Sequence, residues 1–264
     1  QLARGGCTVR LADALARIMG RPGHPTPQLA RWCQAMICLG GDGTALQGAR
    51  AMAGRKGALL PLNMGGLGFL TVADEREAGQ AVRAAFSGEW PTVRRRLVGA
   101  AVHRQGRVVH RGQGMNDAVI KTAGGFAALH VRMTALGHDL GHLVADGVVC
   151  ATASGSTAYS LSAGGPVLSP DVEAFVVTPV CAHTLASRPL VLSPDGKVVL
   201  RVLGSSDRPM LIVDGQEHVD LEPGDEVEVG LTRATVRVYQ NPGRPFGHSL
   251  QAKLGWQGSE RRSM

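Results

Sequence analysis

Aromatic side chains are scarce: Phe, Tyr and Trp together make up 4% of the 264 residues. That is too few for the stacking platforms on which single-stranded nucleic acids are held, and no nucleic-acid partner is expected. No apolar stretch approaches the ~20 residues needed to span a bilayer, and no charged-then-apolar leader opens the chain, so a soluble, cytoplasmic protein with no membrane partner is expected. The five cysteines, Cys7, Cys33, Cys38, Cys150 and Cys181, are odd in number and form no C-x-x-C pair. This argues against a disulfide framework and a zinc knuckle, and fits a reducing compartment. Also missing are a Walker A sequence and the protein-kinase motif set. If the chain moves phosphate, it does so without a P-loop lysine.

What is present leans toward anions. The formal charge is +7, carried mostly by scattered residues. The two clusters, Arg94-Arg95-Arg96 and Arg261-Arg262, read as solvated faces or a linker. The length allows one large or two modest domains.

The first ninety or so residues alternate helix-like and strand-like runs, the grammar of a parallel α/β layer. Leu11 to Ile18 reads as a helix, and the strand that would normally precede it is expected to be missing. Met36–Leu39 and Gly57–Leu62 read as buried strands, and Gly43–Met52 and Asp74–Phe86 as helices. Asp74 and Glu77 form a capping-box-like start for the second of these. After Pro91 short alternating runs broken by turns mark an all-β region extending to Tyr239. Gly247–Leu254 looks helical again and is expected to return to the first domain. The domains are therefore read as 1–95 completed by 243–264, and 96–242, with a hinge near Trp90 to Arg96.

Chemistry concentrates at turns. Gly40-Gly41-Asp42-Gly43-Thr44 follows an apolar strand and runs into a helix, where backbone N–H groups favour an anion. A carboxylate in that place would repel phosphate unless it holds a cation or accepts a hydroxyl proton. Gly-Asp-Gly is also an ordinary turn. Asn63-Met64-Gly65-Gly66-Leu67-Gly68 supplies a second glycine turn after the next strand, suited to tight packing or to a ligand at the sheet's carboxyl edge. Asn116-Asp117 pairs an amide with a carboxylate, which suits vicinal sugar hydroxyls or an Asx turn. Asp146 to Pro166 is a strand ending in a hydroxyl-rich, glycine-containing turn, where small side chains let a ligand approach the backbone. It holds no G-x-S-x-G elbow. His138 and His142 have helical metal spacing, yet their glycine neighbours favour a solvated hairpin tip over a zinc site. Asp214-Gly215-Gln216 reads as a turn between strands.

The order of these motifs resembles the NAD kinase family from Met36 to about Trp256. G-G-D-G-T stands at Gly40 to Thr44, N-x-G-x-L-G-F-L at Asn63 to Leu70, and a T-G-S-T-A-Y-S-L-S-A-G-G-P-type signature at Ser154 to Pro166. Thr178 to Leu190 and Leu250 to Trp256 also look like that family. Departures are Asp117 where many members carry Glu, Ala153 and Ala182 where Pro is common, and Val144 where a basic residue often lies.

The resemblance implies a Rossmann-like α/β domain, a β-sandwich-like C-terminal domain, and NAD bound in a crevice between them. It implies that Asp42 accepts the proton of the adenosine ribose 2′-hydroxyl as that oxygen attacks the γ-phosphate of ATP, with Mg²⁺ or another divalent cation as cofactor. Gly40, Gly41, Gly43, Thr44, Asn63 and Gly65 would belong to the phosphate turns, and Asn116 and Asp117 would hold ribose hydroxyls. Ser154, Thr157, Ala158, Tyr159, Ser160 and Ser162 would frame the adenine end, and Asp146, Ala182 and Gln216 would complete the dinucleotide site. A homodimer or homotetramer is implied. Two rivals stand beside this reading. Diacylglycerol and sphingosine kinases share G-G-D-G-T but follow it with other motifs, and a non-catalytic NAD-binding module would bind without turnover.

Overall fold

A computed structural model describes residues 6–66, 68–124, 127–184 and 186–255. Leu67, Leu185, Trp256, Arg261 and Arg262, which carried part of the sequence argument, lie outside the described residues. The chain divides into two compact units, one from the chain up to Arg94 with the stretch from Val236 onwards, the other from Arg95 to Thr235.

The first unit opens with a short parallel pair, β1 (Leu11–Ala12) and β2 (Gly23–His24), flanking α1 (Asp13–Ile18). The expected helix thus gives its first two residues to a strand. Next comes α2 (Thr26–Trp32), with Pro27 in its first turn, where a missing N–H costs nothing. β3 (Ala35–Leu39) and β4 (Ala58–Leu62) then pair in parallel around α3 (Asp42–Met52). Every residue of β4 is buried, which is why it reads as an unbroken apolar run. α3 turns Ala45, Leu46, Gly48, Ala49 and Met52 inward at helical spacing. Gly48 allows the approach, because a Cβ there would run into the Cys38 sulfur and Leu59.

α4 (Ala78–Ser87) packs Ala81 and Ala85 against Leu60, Leu62 and Ala73. It starts later than the expected Asp74. The Asp74 and Glu77 side chains do exchange the bonds of a capping box, at 3.2 and 3.4 Å. They close a turn ahead of the helix, and Arg244 reaches both carboxylates, at 3.1 and 2.8 Å.

The second unit is made of strands. β5 (Thr92–Arg104), which begins in the first unit, and β6 (Arg107–Gly114) form an antiparallel pair. They are followed by β7 (Asp117–Thr122), β8 (Leu129–Ala135), β9 (His138–Ala145) and β10 (Gly147–Thr152). A single 3₁₀ turn at Ser154–Thr157 leads into α5 (Tyr159–Ser162), a one-turn helix. β11 (Phe175–Val180), β12 (Leu190–Leu192), β13 (Lys197–Ser205), β14 (Pro209–Val213), β15 (Glu217–Asp220) and β16 (Glu226–Tyr239) complete the strands.

One antiparallel sheet has the order β12-β11-β10-β7-β14-β15, and another joins β16, β13, β8 and β9 in that order. Ile120, Cys150 and Phe175 of the first share one core with Val131, Leu200 and Val229 of the second, as in a sandwich. The outer face of the first sheet is buried too, with Val119, Val149, Ala151 and Val176 against Ala163, Leu168 and Ile212. Both faces of β10 are therefore dry, and its sequence is apolar up to Thr152.

Arg94 to Arg96 all lie inside β5, where Arg94 is exposed and Arg95 and Arg96 are half-buried. Arg95 donates to the Pro170 carbonyl at 2.6 Å and pairs with Asp171 at 2.8 Å, and Arg96 donates to the Thr232 carbonyl at 3.0 Å. The division between units falls within this strand.

The end of β16 belongs to the first unit and pairs in parallel with β4, Arg237 beside Ala58 and Val238 beside Leu59. Pro61 lies past Ala58 and Leu59, the β4 residues paired with β16, so its missing N–H falls outside that pairing. The chain then forms α6 (Phe246–Leu254), where a helix was expected. Among the described residues no helix is long and apolar enough to cross a membrane.

Candidate active site

In the first unit β3 ends at Leu39, the Gly40 amide donates to the Leu62 carbonyl at 3.0 Å, and α3 starts at Asp42. Gly40 is required by crowding, because a Cβ there would meet the Thr44 side chain. Asp42 sits in the first turn of α3, where the helix dipole favours negative charge. Its carboxylate does not cap its own helix. It reaches the second glycine loop, where Oδ2 accepts the Phe69 amide at 3.0 Å and Oδ1 accepts the Leu70 amide at 3.2 Å.

That loop is tied down by Asn63, whose Nδ2 donates to the Gly66 carbonyl at 2.5 Å and to Thr71 Oγ1 at 3.2 Å while Oδ1 accepts the Gly65 amide at 2.8 Å. Asn63 is buried, so it shapes the loop from beneath. Gly68 is the residue that lets Asp42 in, since a Cβ at Gly68 would collide with Asp42 Oδ1 and Thr71 Oγ1. A half-buried carboxylate with one amide on each oxygen keeps lone pairs for a hydroxyl proton or a hard cation. The two glycine turns, read separately from sequence, are joined by this side chain.

The second unit holds a different arrangement. Asn116 and Asp117 open β7 and are buried. Their backbone is gripped by Asp214: Oδ2 accepts the Met115 amide at 2.8 Å, and Oδ1 accepts the Asn116 amide at 2.8 Å and the Asp117 amide at 3.2 Å. Asp214 and Gly215 both have positive φ, 51° and 65°, as the tight hairpin between β14 and β15 demands. Burial first, and then the Asp214 carboxylate, push Asp117 up to about 7. The Asn116 Oδ1 atom is buried and accepts no hydrogen bond from the described protein. Sequence reasoning read Asp214 as part of a turn able to line a pocket, and its Asp-Gly pair signals a hairpin without revealing what the carboxylate holds.

The hydroxyl-rich stretch lies directly on this pair. A Cβ at Gly155 would run into the Asn116 backbone, and Thr152 Oγ1 donates to the Met115 carbonyl at 2.6 Å. Most of its hydroxyls are engaged within the fold rather than displayed. Ser156 donates to the Ala153 carbonyl at 2.7 Å, Thr157 to the Ser154 carbonyl at 3.3 Å, and Ser160 Oγ lies 2.9 Å from Thr178 Oγ1 in full burial. Ser160, expected among the ligand contacts, therefore supports the turn from inside. Ser154 and Ala158 are half-buried, and Tyr159 and Ser162 are exposed.

Tyr159 is raised by burial first and then by Cys181, Asp146 and Asp117, which brings these groups into one electrostatic neighbourhood. Cys181, at φ 48°, is hydrogen-bonded to Asp146, which holds its thiol above the usual range. Ala182 follows it, half-buried, and Gln216 stands half-buried beside Asp214. His138 and His142 lie on β9, not on a helix, and His142 stacks on His130 with ring centres 5.3 Å apart. Among the described residues no group of three or more His, Cys, Asp or Glu is placed to hold a metal ion.

Comparison with known proteins agrees with this layout. Residues 26–90 match the ATP-NAD kinase N-terminal domain and residues 115–240 the ATP-NAD kinase C-terminal domain. The chain is 39% identical to the NAD kinase of Desulforamulus reducens, over 97% of this chain and 90% of that one. It is 36% identical to NAD kinase 2 of Streptomyces coelicolor, over 98% and 89%. Among solved structures it is similar to yeast NADH kinase complexed with NADH, with a TM-score of 0.87 at 26% identity over 97% of this chain and 81% of that one. Motifs, fold and near full-length relatives agree, and the chain belongs to the NAD kinase family.

Proposed function

We propose that the Asp42 turn and the Asn116–Asp117 turn are the working parts of a kinase that transfers the γ-phosphate of ATP to the 2′-hydroxyl of the adenosine ribose of NAD. The activity follows from membership of the family: ATP-dependent phosphorylation of NAD to NADP. The lipid-kinase reading of the same glycine turn falls with that membership. The observation that carries the assignment of Asp42 is its carboxylate, aimed out of the first turn of α3 and steadied by the Phe69 and Leu70 amides.

A ribose hydroxyl is far too weak an acid to be ionised by a carboxylate beforehand. Asp42 therefore takes the proton late, in a loose transition state governed by positioning and charge neutralisation. A divalent cation such as Mg²⁺ supplies that neutralisation when bound. Such an ion is satisfied by one carboxylate and nucleotide phosphates, and the free lone pairs of Asp42 fit it. Asn116 and Asp117 hold ribose hydroxyls, with the empty Asn116 Oδ1 as a ready acceptor. Thr157 to Ser162 frame the adenine end, and Asp146, Ala182 and Gln216 complete the dinucleotide site. By the habit of the family the chain works as a homodimer or homotetramer. Its five free cysteines fit a cytoplasmic setting.

The test is NADP⁺ formation from NAD⁺, ATP and Mg²⁺, followed with an NADP-specific dehydrogenase, with Asp42→Asn in parallel. Loss of turnover by about 10²- to 10⁴-fold is expected for a general base. Wild-type turnover in a folded Asp42→Asn protein would remove Asp42 from the chemistry.

A further inference from the structure

Asn116 and Asp117 carry the chemistry proposed for the second unit, yet neither side chain fixes its own position. The hairpin turn between β14 and β15 sends one carboxylate into the backbone that precedes β7, where three consecutive amides, those of Met115, Asn116 and Asp117, converge on it at 2.8 to 3.2 Å. The grip is reciprocal, since the Asp214 amide donates to the Asp117 carbonyl at 3.0 Å. Both carboxylates are buried, Asp117 at 6% exposure and Asp214 at 7%. Space is reserved for the arrangement: a Cβ on Gly114 would lie 2.6 Å from Asp214 Oδ1.

We propose that Asp214 is the positioning residue of the nucleoside site, its carboxylate holding the Asn116–Asp117 backbone so that Asn116 Oδ1 and the Asp117 carboxyl meet the ribose. This rests on the reading of Asn116 and Asp117 given above. The geometry has an electrostatic consequence. The Asp117 amide, which could have steadied negative charge, is committed to Asp214, so charge on Asp117 faces a buried carboxylate with little compensation. Among the described residues Asp117 also acts on the Cys150 thiol of β10 and the Tyr159 hydroxyl of α5, neither of which brings positive charge. Asp117 thus holds a proton up to neutral pH and can donate it to a sugar oxygen, a role that burial beside Asp214 creates.

The experiment is NAD⁺ binding by calorimetry across the pH range around neutrality, on the wild type, Asp214→Asn and Asn116→Ala, with ATP binding and thermal unfolding as companions. Asn tolerates the left-handed backbone at this position and keeps one acceptor oxygen, so the turn survives. Asp214→Asn is expected to weaken NAD⁺ binding about tenfold or more through misplacement of the pair, with ATP binding within about twofold. The pH inflection in NAD⁺ binding is expected to move down by about one unit, because the charge facing Asp117 is gone. A purely structural role would not move that inflection.

Gly114→Ala, which pushes the Asp214 carboxylate away without removing its charge, is the second variant. It should weaken NAD⁺ binding with less change in the inflection, and it serves if Asp214→Asn does not fold. NAD⁺ binding within twofold of wild type in both folded variants, with the inflection unmoved and Asn116→Ala impaired, overturns the role of Asp214 alone. Unimpaired binding by Asn116→Ala overturns the ribose reading itself, and this inference with it.

Discussion

Asp42 and Asp117 are both aspartates beside a turn at the edge of a strand, and the protein treats them in opposite ways. Asp42 is half-buried, and each oxygen receives an amide from a neighbouring loop. Asp117 is buried, and its own amide is given to another carboxylate, Asp214. The first leaves carboxylate lone pairs for a proton or a cation. The second opposes charge and suits a group that carries a proton and donates it. Residue type and turn chemistry are nearly the same in both places, so the surroundings set the difference: burial first, and then the Asp214 carboxylate, act on Asp117.

The sharpest way to break the first environment is Gly68→Ala. The added methyl would collide with Asp42 Oδ1 and displace the carboxylate from the Phe69 and Leu70 amides. A fall in kcat on the order of 10²-fold is expected, with a much smaller change in KM for NAD, since a misplacement of about 1 Å is enough for such a loss. Steady-state kinetics decide it, and an unchanged kcat would mean that the alignment of Asp42 is immaterial.

The second environment is tested by Asp117→Asn and pH. Asp117 takes up its proton near 7 in the folded chain and at about 4 once unfolded. Between those values the folded form binds more protons, so the Asp117 contribution makes stability fall as pH rises through this window and level off above it. The contribution is a few kcal/mol at about 1.4 kcal/mol per unit. Asp117→Asn removes it, so the variant should gain on the wild type as pH is raised from acid to neutral. Urea unfolding at a series of pH values reads the difference, and parallel curves would refute a raised Asp117.

The smallest effect is expected beneath the second environment. Ser160→Ala leaves the buried Thr178 hydroxyl without its 2.9 Å partner and should cost about 1–2 kcal/mol. A melting temperature equal to wild type would show that the pair adds nothing.

Much of the architecture was legible in the residues. The apolar runs of β3, β4 and β10, the glycine stops after them and the change to short alternating runs after Pro91 follow from burial and turn chemistry. Local signals failed where a distant partner decided the outcome. Arg95 and Arg96 looked like part of a solvated cluster because the carbonyls that receive them, at Pro170 and Thr232, are remote in sequence. Asp74 and Glu77 made the bonds of a capping box, yet the chain used them to close a turn ahead of α4. At the site, the positions of Asp42 and Asn116–Asp117 could be read, whereas the Phe69 and Leu70 amides and the Asp214 grip could not. Backbone donors carry no side-chain signature, and Asp214 is almost a hundred residues away. The hydroxyls between Thr152 and Ser162 misled in the other direction: their density reflects internal bonding of a tight turn as much as any display to a ligand.

The Asn116 side-chain oxygen, Oδ1, buried and with no donor among the described residues, has a thermodynamic consequence for ligand binding. Leaving such an acceptor unmet costs about 1–3 kcal/mol, so a donor brought to it by a ligand is worth more than one at the surface. A ligand that offers a donor there binds more tightly for it, and the gain is expressed as mass-action stabilisation of the folded form. Resistance to heat becomes in that way a gauge of whether a ligand with such a donor is at hand.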